Sequence, residues 1–183
     1  MHIASASIPM SSETPADSVR ADPARVDLTE LYDRHGAALY RYLLGLLGRR
    51  EAAEDALQEV FARVGSRRRQ VDAWEGYLWR AARNEARRRL SWRVRRRQLE
   101  APMPAVERFP ETVNRDLAPD QLLALHQALD RLPFKQKEAV VLIGLEGLTA
   151  REAGSRSQVP TDTAASRYRL GLAKLRRILE RAR

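Results

Sequence analysis

The chain has 183 residues and a mass of 20.8 kDa, is 44% hydrophobic and contains no cysteine. That length fits one ordinary domain or two small ones, and the lack of cysteine excludes disulfides and thiolate zinc or iron–sulfur centres, as suits a reducing cytosol. The 33 Lys and Arg outnumber the 24 Asp and Glu, giving a net charge of +9 and a pI of about 10.7, a balance that favours a polyanionic partner.

Residues 1–26 are rich in Ser, Ala, Pro and Asp without an apolar period, and are expected to be disordered. They lack the charged start and apolar stretch of a signal peptide. No run approaches 18 uninterrupted apolar residues, so no membrane span is expected and the predicted location is cytoplasmic. From Leu28 the pattern turns helical, with Leu31, Tyr32, His35, Leu39, Tyr42, Leu43 and Leu46 at spacings of three and four. Asp27 or Thr29 can cap this helix, and Gly48 can end it. The second helix places Ala53, Ala56, Leu57, Val60, Phe61 and Val64 on one stripe, and Glu51, Glu54, Asp55, Gln58 and Glu59 on the other face. Gly65 and Ser66 close it, and the basic loop Arg67, Arg68, Arg69, Gln70 follows. A third helix starts near Asp72, is expected to bury Trp74, Tyr77, Leu78 and Ala81, and runs through Arg87, Arg88 and Arg89 to Arg97.

Pro102, Pro104, Pro110 and Pro119 punctuate residues 100–119, which read as a flexible linker. Leu122, Leu125, Leu129 and Leu132 then define a fourth helix, stopped by Pro133, and Gln136 to Leu145 an apolar fifth. Thr149 can cap a short sixth helix, with Glu152 three residues on as in a capping box. Val159 and Pro160 break it. Thr161 or Thr163 can start the last helix, which keeps Ala165, Tyr168, Leu172, Leu175 and Leu179 on one face. No strand alternation stands out. The predicted fold is all-α: two small helical domains, 27–99 and 120–183, joined by the linker, the second ending in a helix-turn-helix.

Charge is distributed in blocks. Residues 27–65 carry net −2, residues 66–100 net +8, residues 101–147 net −2 and residues 148–183 net +6. Two basic blocks separated by acidic ones point to two contacts with nucleic acid. The excess of Arg over Lys has a second reading, since a GC-rich genome inflates arginine everywhere. In the first basic block Trp74, Tyr77, Trp79 and Trp92 lie among 12 arginines, the mixture on which unpaired bases stack, although Trp74 and Tyr77 also fit a core. In the last two helices, a short helix, a turn and a longer helix match the helix-turn-helix, whose second helix enters the major groove; any basic amphipathic terminal helix would share part of this pattern. The acidic face of the second helix reads as a solvated or partner-facing surface. No His, Cys or Lys stands near it as base or nucleophile, and His2, His35 and His126 form no metal spacing. There is no glycine-rich phosphate loop, GxSxG or HExxH, so neither an enzyme nor a cofactor is expected.

Four segments carry a family resemblance. Residues 53–61 (AEDALQEVF) resemble the AEDLVQEVF-type segment of the sigma-70 family, in its extracytoplasmic-function group. Residues 77–84 (YLWRAARN) are similar to its WLFRIARN-type segment, residues 128–133 (ALDRLP) to its ALxxLP segment, and Thr163, Ser166 and Arg167 to the TVKSR-type start of its recognition helix. The matches fall in family order and cover residues 28–180. The resemblance implies an alternative sigma factor, with bacterial core RNA polymerase (β′ clamp and β flap), promoter DNA and an anti-sigma factor as partners. Glu54, Asp55, Gln58 and Glu59 would dock on the β′ clamp. Arg68, Arg69, Trp74, Arg80, Arg83, Asn84, Arg87 and Arg88 would hold the −10 element, with bases flipped from the non-template strand. Thr161, Thr163, Ser166, Arg167, Arg169 and Lys174 would read the −35 element.

The chain also departs from the pattern. Where the sixth helix of such proteins reads like EEIAEILGV, residues 151–159 read REAGSRSQV. Ala153, Arg156 and Ser157 replace apolar residues, and Gln158 replaces the turn glycine, where a positive φ would be costly. Ala81 replaces a usual Ile. The C-terminal domain is therefore expected to be weakly packed. A degenerate decoy acting on an anti-sigma factor and a standalone helix-turn-helix repressor are the alternative readings, the acidic face arguing against the repressor.

Overall fold

The computed structural model describes residues 27–66, 73–97 and 119–181; the expected disordered tail, the loop arginines 67–69 and most of the linker lie outside these residues. The described residues form seven α-helices and no strand: α1 (Leu28–Leu47), α2 (Arg50–Gly65), α3 (Trp74–Arg97), α4 (Pro119–Asp130), α5 (Phe134–Ala139), α6 (Ala150–Ser157) and α7 (Thr161–Glu180). The all-α expectation holds, with a helix-turn-helix formed by α6 and α7.

Of the two capping candidates, Asp27 is the one used. Its carboxylate accepts from the backbone N–H of Thr29 at 2.8 Å and of Glu30 at 3.2 Å, satisfying donors the first turn leaves open. Gly48 ends α1 at φ 71°, and its N–H donates to the Leu44 carbonyl at 2.7 Å. α2 and α3 lie against α1. Ala53, Ala56, Leu57, Val60 and Val64 of α2 and Leu78, Ala81, Ala82 and Ala86 of α3 are buried. The alanines keep the helix axes close, so a small unit still excludes water.

The second half of α1 is buried all round: Tyr42, Leu43, Leu44, Leu46 and Leu47 are each at most 1% exposed. One apolar stripe cannot produce that; a helix hydrophobic on every side is covered on every side. α2 and α3 cover one flank, and the C-terminal helices cover the other. Val141, Leu142, Ala153 and Ala164 belong to the same continuous core as Leu39 and Leu43, so the two helical units are docked against each other. Ala128, Leu129, Leu132, Val140 and Leu175 form a smaller core of the C-terminal unit's own.

The expected fifth helix over 136–145 differs in two ways. It begins at Phe134, and Val140–Leu145 widens into a π-helical turn. The N–H of Glu146 reaches back five residues to the Val141 carbonyl at 2.9 Å, as π geometry requires. In α6 the capping box is complete: the Thr149 hydroxyl accepts from the Glu152 N–H at 3.2 Å, and the Glu152 carboxylate accepts from the Thr149 N–H at 2.8 Å. Thr161 opens α7 directly after Pro160. Gln158 adopts the left-handed conformation, φ 55° and ψ 47°, that the missing glycine foreshadows.

Candidate nucleic-acid interface

The third helix carries the first basic surface. Arg80, Asn84 and Arg87 are exposed, and their spacing of four and three sets them on one face. At the helix start the half-buried Trp74 meets Tyr77 edge-on, ring centroids 5.8 Å apart, and the Arg80 guanidinium lies 6.0 Å from the Tyr77 ring. On the side of α3 turned toward α2 sits a carboxylate that the sequence pattern does not reveal. Glu85 is fully buried, and Arg88, Arg89 and Arg63 all reach it, at 2.7, 2.7 and 3.0 Å. Burial pushes its carboxyl up, but hydrogen bonds from Arg88 and Arg89 and their charges outweigh this and hold it below the ordinary carboxylate range. The carboxylate thus fixes three guanidiniums whose outer edges face solvent. Trp92, 65% exposed, lies further along the same helix.

Two residues expected on this surface turn inward. Trp79 does not offer its face to solvent: it is 4% exposed, meets Tyr42 edge-on at 5.2 Å, and is covered by the Arg156 guanidinium 4.2 Å from its ring centroid. Its expected base-stacking surface is occupied by α6. Arg83 points into the seam between the units, where its Nε lies 3.2 Å from a Glu138 carboxylate oxygen and its other nitrogen donates to the Arg156 carbonyl at 3.1 Å. Trp74 and Tyr77, expected in the core, are only half-buried.

The acidic surface lies on α2. Asp55 and Gln58 are exposed, Glu54 and Glu59 half-buried. Arg50 donates to Glu54 at 2.8 Å, Arg63 donates to Glu59 at 3.0 Å, and Arg89 of α3 lies 3.5 Å from Asp55, so each of these carboxylates is oriented by an arginine. Beside it a groove between α1 and α2 is lined by Tyr32, Gly36, Tyr40, Leu57 and Phe61. Tyr32 is 53% exposed and meets Phe61 edge-on at 5.1 Å, so an apolar strip borders the carboxylates. Burial first, and then the Glu54 charge, raises the Tyr40 phenol above its ordinary value.

The last helix carries the second basic surface. Thr161 and Arg169 are exposed; Thr163, Ser166, Arg167 and Lys174 are half-buried. Arg176, Arg177 and Arg181 are exposed toward its end. Arg68 and Arg69 lie outside the described residues.

Residues 31–98 match the family Sigma-70 region 2, and residues 122–175 match Sigma-70, region 4. The chain is 35% identical over 156 residues to the ECF RNA polymerase sigma factor SigE of Mycolicibacterium smegmatis, covering 80% of this chain and 59% of that one. The chain belongs to the extracytoplasmic-function group of the sigma-70 family. It spans 59% of the length of that SigE relative. A second sigma factor of this group, SigM of Mycobacterium tuberculosis, is 28% identical over 158 residues, with 85% of this chain and 78% of SigM covered. The fold is shared with the sigma factor RpoE of Bartonella quintana, solved in complex with the anti-sigma factor NepR (TM-score 0.61, 22% identity, 86% of this chain, 99% of that one). It is shared too with CnrH, solved with the cytosolic domain of CnrY (TM-score 0.54, 19% identity, 84% and 87%). In this sigma-70 member, no helix among the described residues is long and apolar enough to cross a membrane.

Proposed function

We propose that this chain is an alternative sigma factor: it binds bacterial core RNA polymerase and directs promoter-specific initiation without catalysing a reaction itself. One observation carries the reading, namely that one molecule presents a carboxylate strip on α2, joined to α3 only at its edge by the Arg89–Asp55 pair at 3.5 Å, together with arginine-dense faces on α3 and α7. A standalone repressor has no use for the acidic strip, whereas a polymerase adaptor needs both kinds of surface. The strip around Glu54, Asp55, Gln58 and Glu59 docks on the β′ clamp, the apolar groove beside it supplying burial. Residues 27–99 hold the −10 element through Trp74, Arg80, Asn84, Arg87 and Arg88, with the loop arginines Arg68 and Arg69, while Arg83, expected among them, is taken up by Glu138 and the Arg156 carbonyl. Residues 120–183 contact the β flap and read the −35 element through Thr161, Thr163, Ser166, Arg167, Arg169 and Lys174.

The division of labour has a physical logic. Opening base steps costs about 1.4 kcal/mol each, and stacking extruded bases on aromatic side chains returns about 1–3 kcal/mol per base. Duplex contact at a second, tethered site raises effective concentration. The chain works in the cytoplasm, where an anti-sigma factor restrains it.

The reading is tested by charge reversal. Glu54→Arg with Asp55→Arg is expected to weaken binding to core polymerase by at least roughly tenfold, given about 1.5 kcal/mol or more for close charge pairs at an interface. Helical circular dichroism should not change. Unaltered core affinity would remove the docking assignment, and run-off transcription that never rises above core alone would remove the sigma-factor reading.

A further inference from the structure

Glu85 is fully buried on a side of α3 that otherwise carries Leu78, Ala81, Ala82 and Ala86. Taking a carboxylate out of water is costly, and a buried ion pair seldom does better for stability than well-packed apolar side chains. Holding α2 to α3 therefore does not by itself call for a carboxylate here. What the carboxylate adds is direction. Its Oε2 accepts from Arg63 Nη2 of α2 and from Arg88 Nε, each at 3.0 Å, and its Oε1 accepts from Arg88 Nη2 and Arg89 Nε, each at 2.7 Å.

The three arginines are not equivalent. Arg63 also donates to Glu59, and Arg89 also lies 3.5 Å from Asp55, so each is shared with a second carboxylate, on α2. Arg88 pairs with no second carboxylate among the described residues. It is also the most exposed of the three, its side chain at 55% against 39% for Arg63 and 26% for Arg89. The two bonds from Arg88 to Glu85 form a fork that fixes the guanidinium plane. They use only Nε and one N–H of Nη2, so the other N–H groups of the guanidinium remain for an acceptor in solution. Arg88 follows Arg87 and stands four residues after Asn84, at the border of the exposed face of Arg80, Asn84 and Arg87.

Net charge does not make this cluster an anion trap, because Asp55, Glu59 and Glu85 equal Arg63, Arg88 and Arg89 in number. Attraction comes from Arg80 and Arg87, and the cluster supplies aim. A solvated arginine gives up rotamer freedom when it grips a ligand, whereas Arg88 has already given it up in the folded protein. We propose that Glu85 is a positioning residue for DNA binding: it holds the Arg88 guanidinium with its outer end directed at a backbone phosphate of the −10 DNA. The inference rests on the sigma-factor reading. Glu85, being buried, touches no DNA itself and acts through Arg88.

The test uses the full chain with core polymerase and a fluorescent fork-junction DNA of randomised sequence, duplex upstream and single-stranded on the non-template strand downstream, so that phosphates and not base identity are read. Arg88→Ala is expected to weaken binding about tenfold and to lower the slope of log affinity against log salt by about 0.7–0.9, the value for one phosphate. Glu85→Gln removes a negative charge beside the DNA, so Coulomb attraction alone predicts tighter binding. Loss of aim predicts the opposite, a weakening of about three- to fivefold, with no further weakening when Glu85→Gln is added to Arg88→Ala. Binding that is unchanged or tighter in Glu85→Gln overturns the proposal. So does a loss that adds in full to that of Arg88→Ala, which would make Glu85 purely structural, and so does an unchanged salt slope in Arg88→Ala. Should circular dichroism show that Glu85→Gln does not fold, Arg88→Lys decides, because it leaves the buried carboxylate with Arg63 and Arg89. The ammonium keeps the charge but not the two-bonded grip, and is expected to weaken binding by about threefold or more; full affinity overturns the proposal. If the wild type binds the fork no better than core alone does, the sigma-factor reading fails and this inference falls with it.

Discussion

At single positions, the helix-turn-helix shows a misplaced glycine. Gln158 adopts φ 55°, where a side chain costs about 1–2 kcal/mol. Four residues earlier Gly154 is needed for another reason: a Cβ there would lie 2.8 Å from the Val159 carbonyl oxygen. Gln158→Gly is therefore expected to stabilise the protein by about 0.5–1 kcal/mol, part of the relief being offset by the greater freedom of an unfolded glycine. Urea denaturation measures this, and a lower midpoint would show that the Gln158 side chain contributes contacts exceeding the strain. The strain was legible only through the family resemblance, in which Gln158 stands where the EEIAEILGV-type segment has its turn glycine. Glu85 was not readable. Arginines three and four residues on resemble any exposed helix pair, and only the approach of Arg63 from α2 shows the carboxylate to be buried. Trp79 was misread for a similar reason. The period of α3 marks the side facing α1 and α2, while the cover over Trp79 comes from Arg156, 77 positions away.

At the scale of elements, helix identity was legible wherever caps and breakers are local, as at Asp27, Gly48, Thr149 and Pro160. The π turn was not, since the apolar run 139–143 fits α and π winding equally. Its consequence is positional: the turn carries Val141 and Leu142 to α1, while α4 brings His126 against Gly48. That seat makes α4 sensitive to acid. Burial, and then the neighbouring charge of Lys137, lowers the His126 pKa from 6.5 to about 4, with Asp130 opposing and Arg93 reinforcing the shift. Between pH 6.5 and 4 the unfolded chain binds a proton that the folded imidazole refuses, so stability present above 6.5 is lost as pH falls through this window. The loss is on the order of 2 kcal/mol once the part of the ring that water reaches is discounted. Glu138 titrates with the opposite sign, because burial raises its carboxyl and folding then favours protonation. Denaturation of the wild type and His126→Gln at pH 7.5 and 5 separates the two. The variant should lose distinctly less stability on acidification, and parallel losses would take His126 out of the account.

At the scale of the whole molecule, the docking of the units was the least legible feature, because it joins side chains about 90 positions apart and leaves no periodic trace. Block charge nevertheless predicts how it responds to salt. Residues 66–100 carry net +8 and residues 148–183 net +6, so docking brings two basic blocks together against long-range repulsion. The seam pairs act over 3–4 Å, and Glu138 and Glu146 are largely removed from water. Salt screens exposed charges more than about 10 Å apart far more than buried contacts, the Debye length at 0.1 M being about 10 Å. Added salt should therefore remove more repulsion than attraction and favour the docked form. Small-angle scattering of the full chain is expected to show a smaller radius of gyration at 500 mM than at 50 mM NaCl. Promoter affinity of the polymerase complex should fall over the low end of that range, by about a thousandfold between 50 and 200 mM if six phosphates are contacted. The two trends have one origin, since the arginine blocks that repel each other in the free chain are those that phosphate neutralises in the complex. A radius that grows with salt would mean that the seam pairs, and not the apolar centre at Val141 and Leu142, hold the units together.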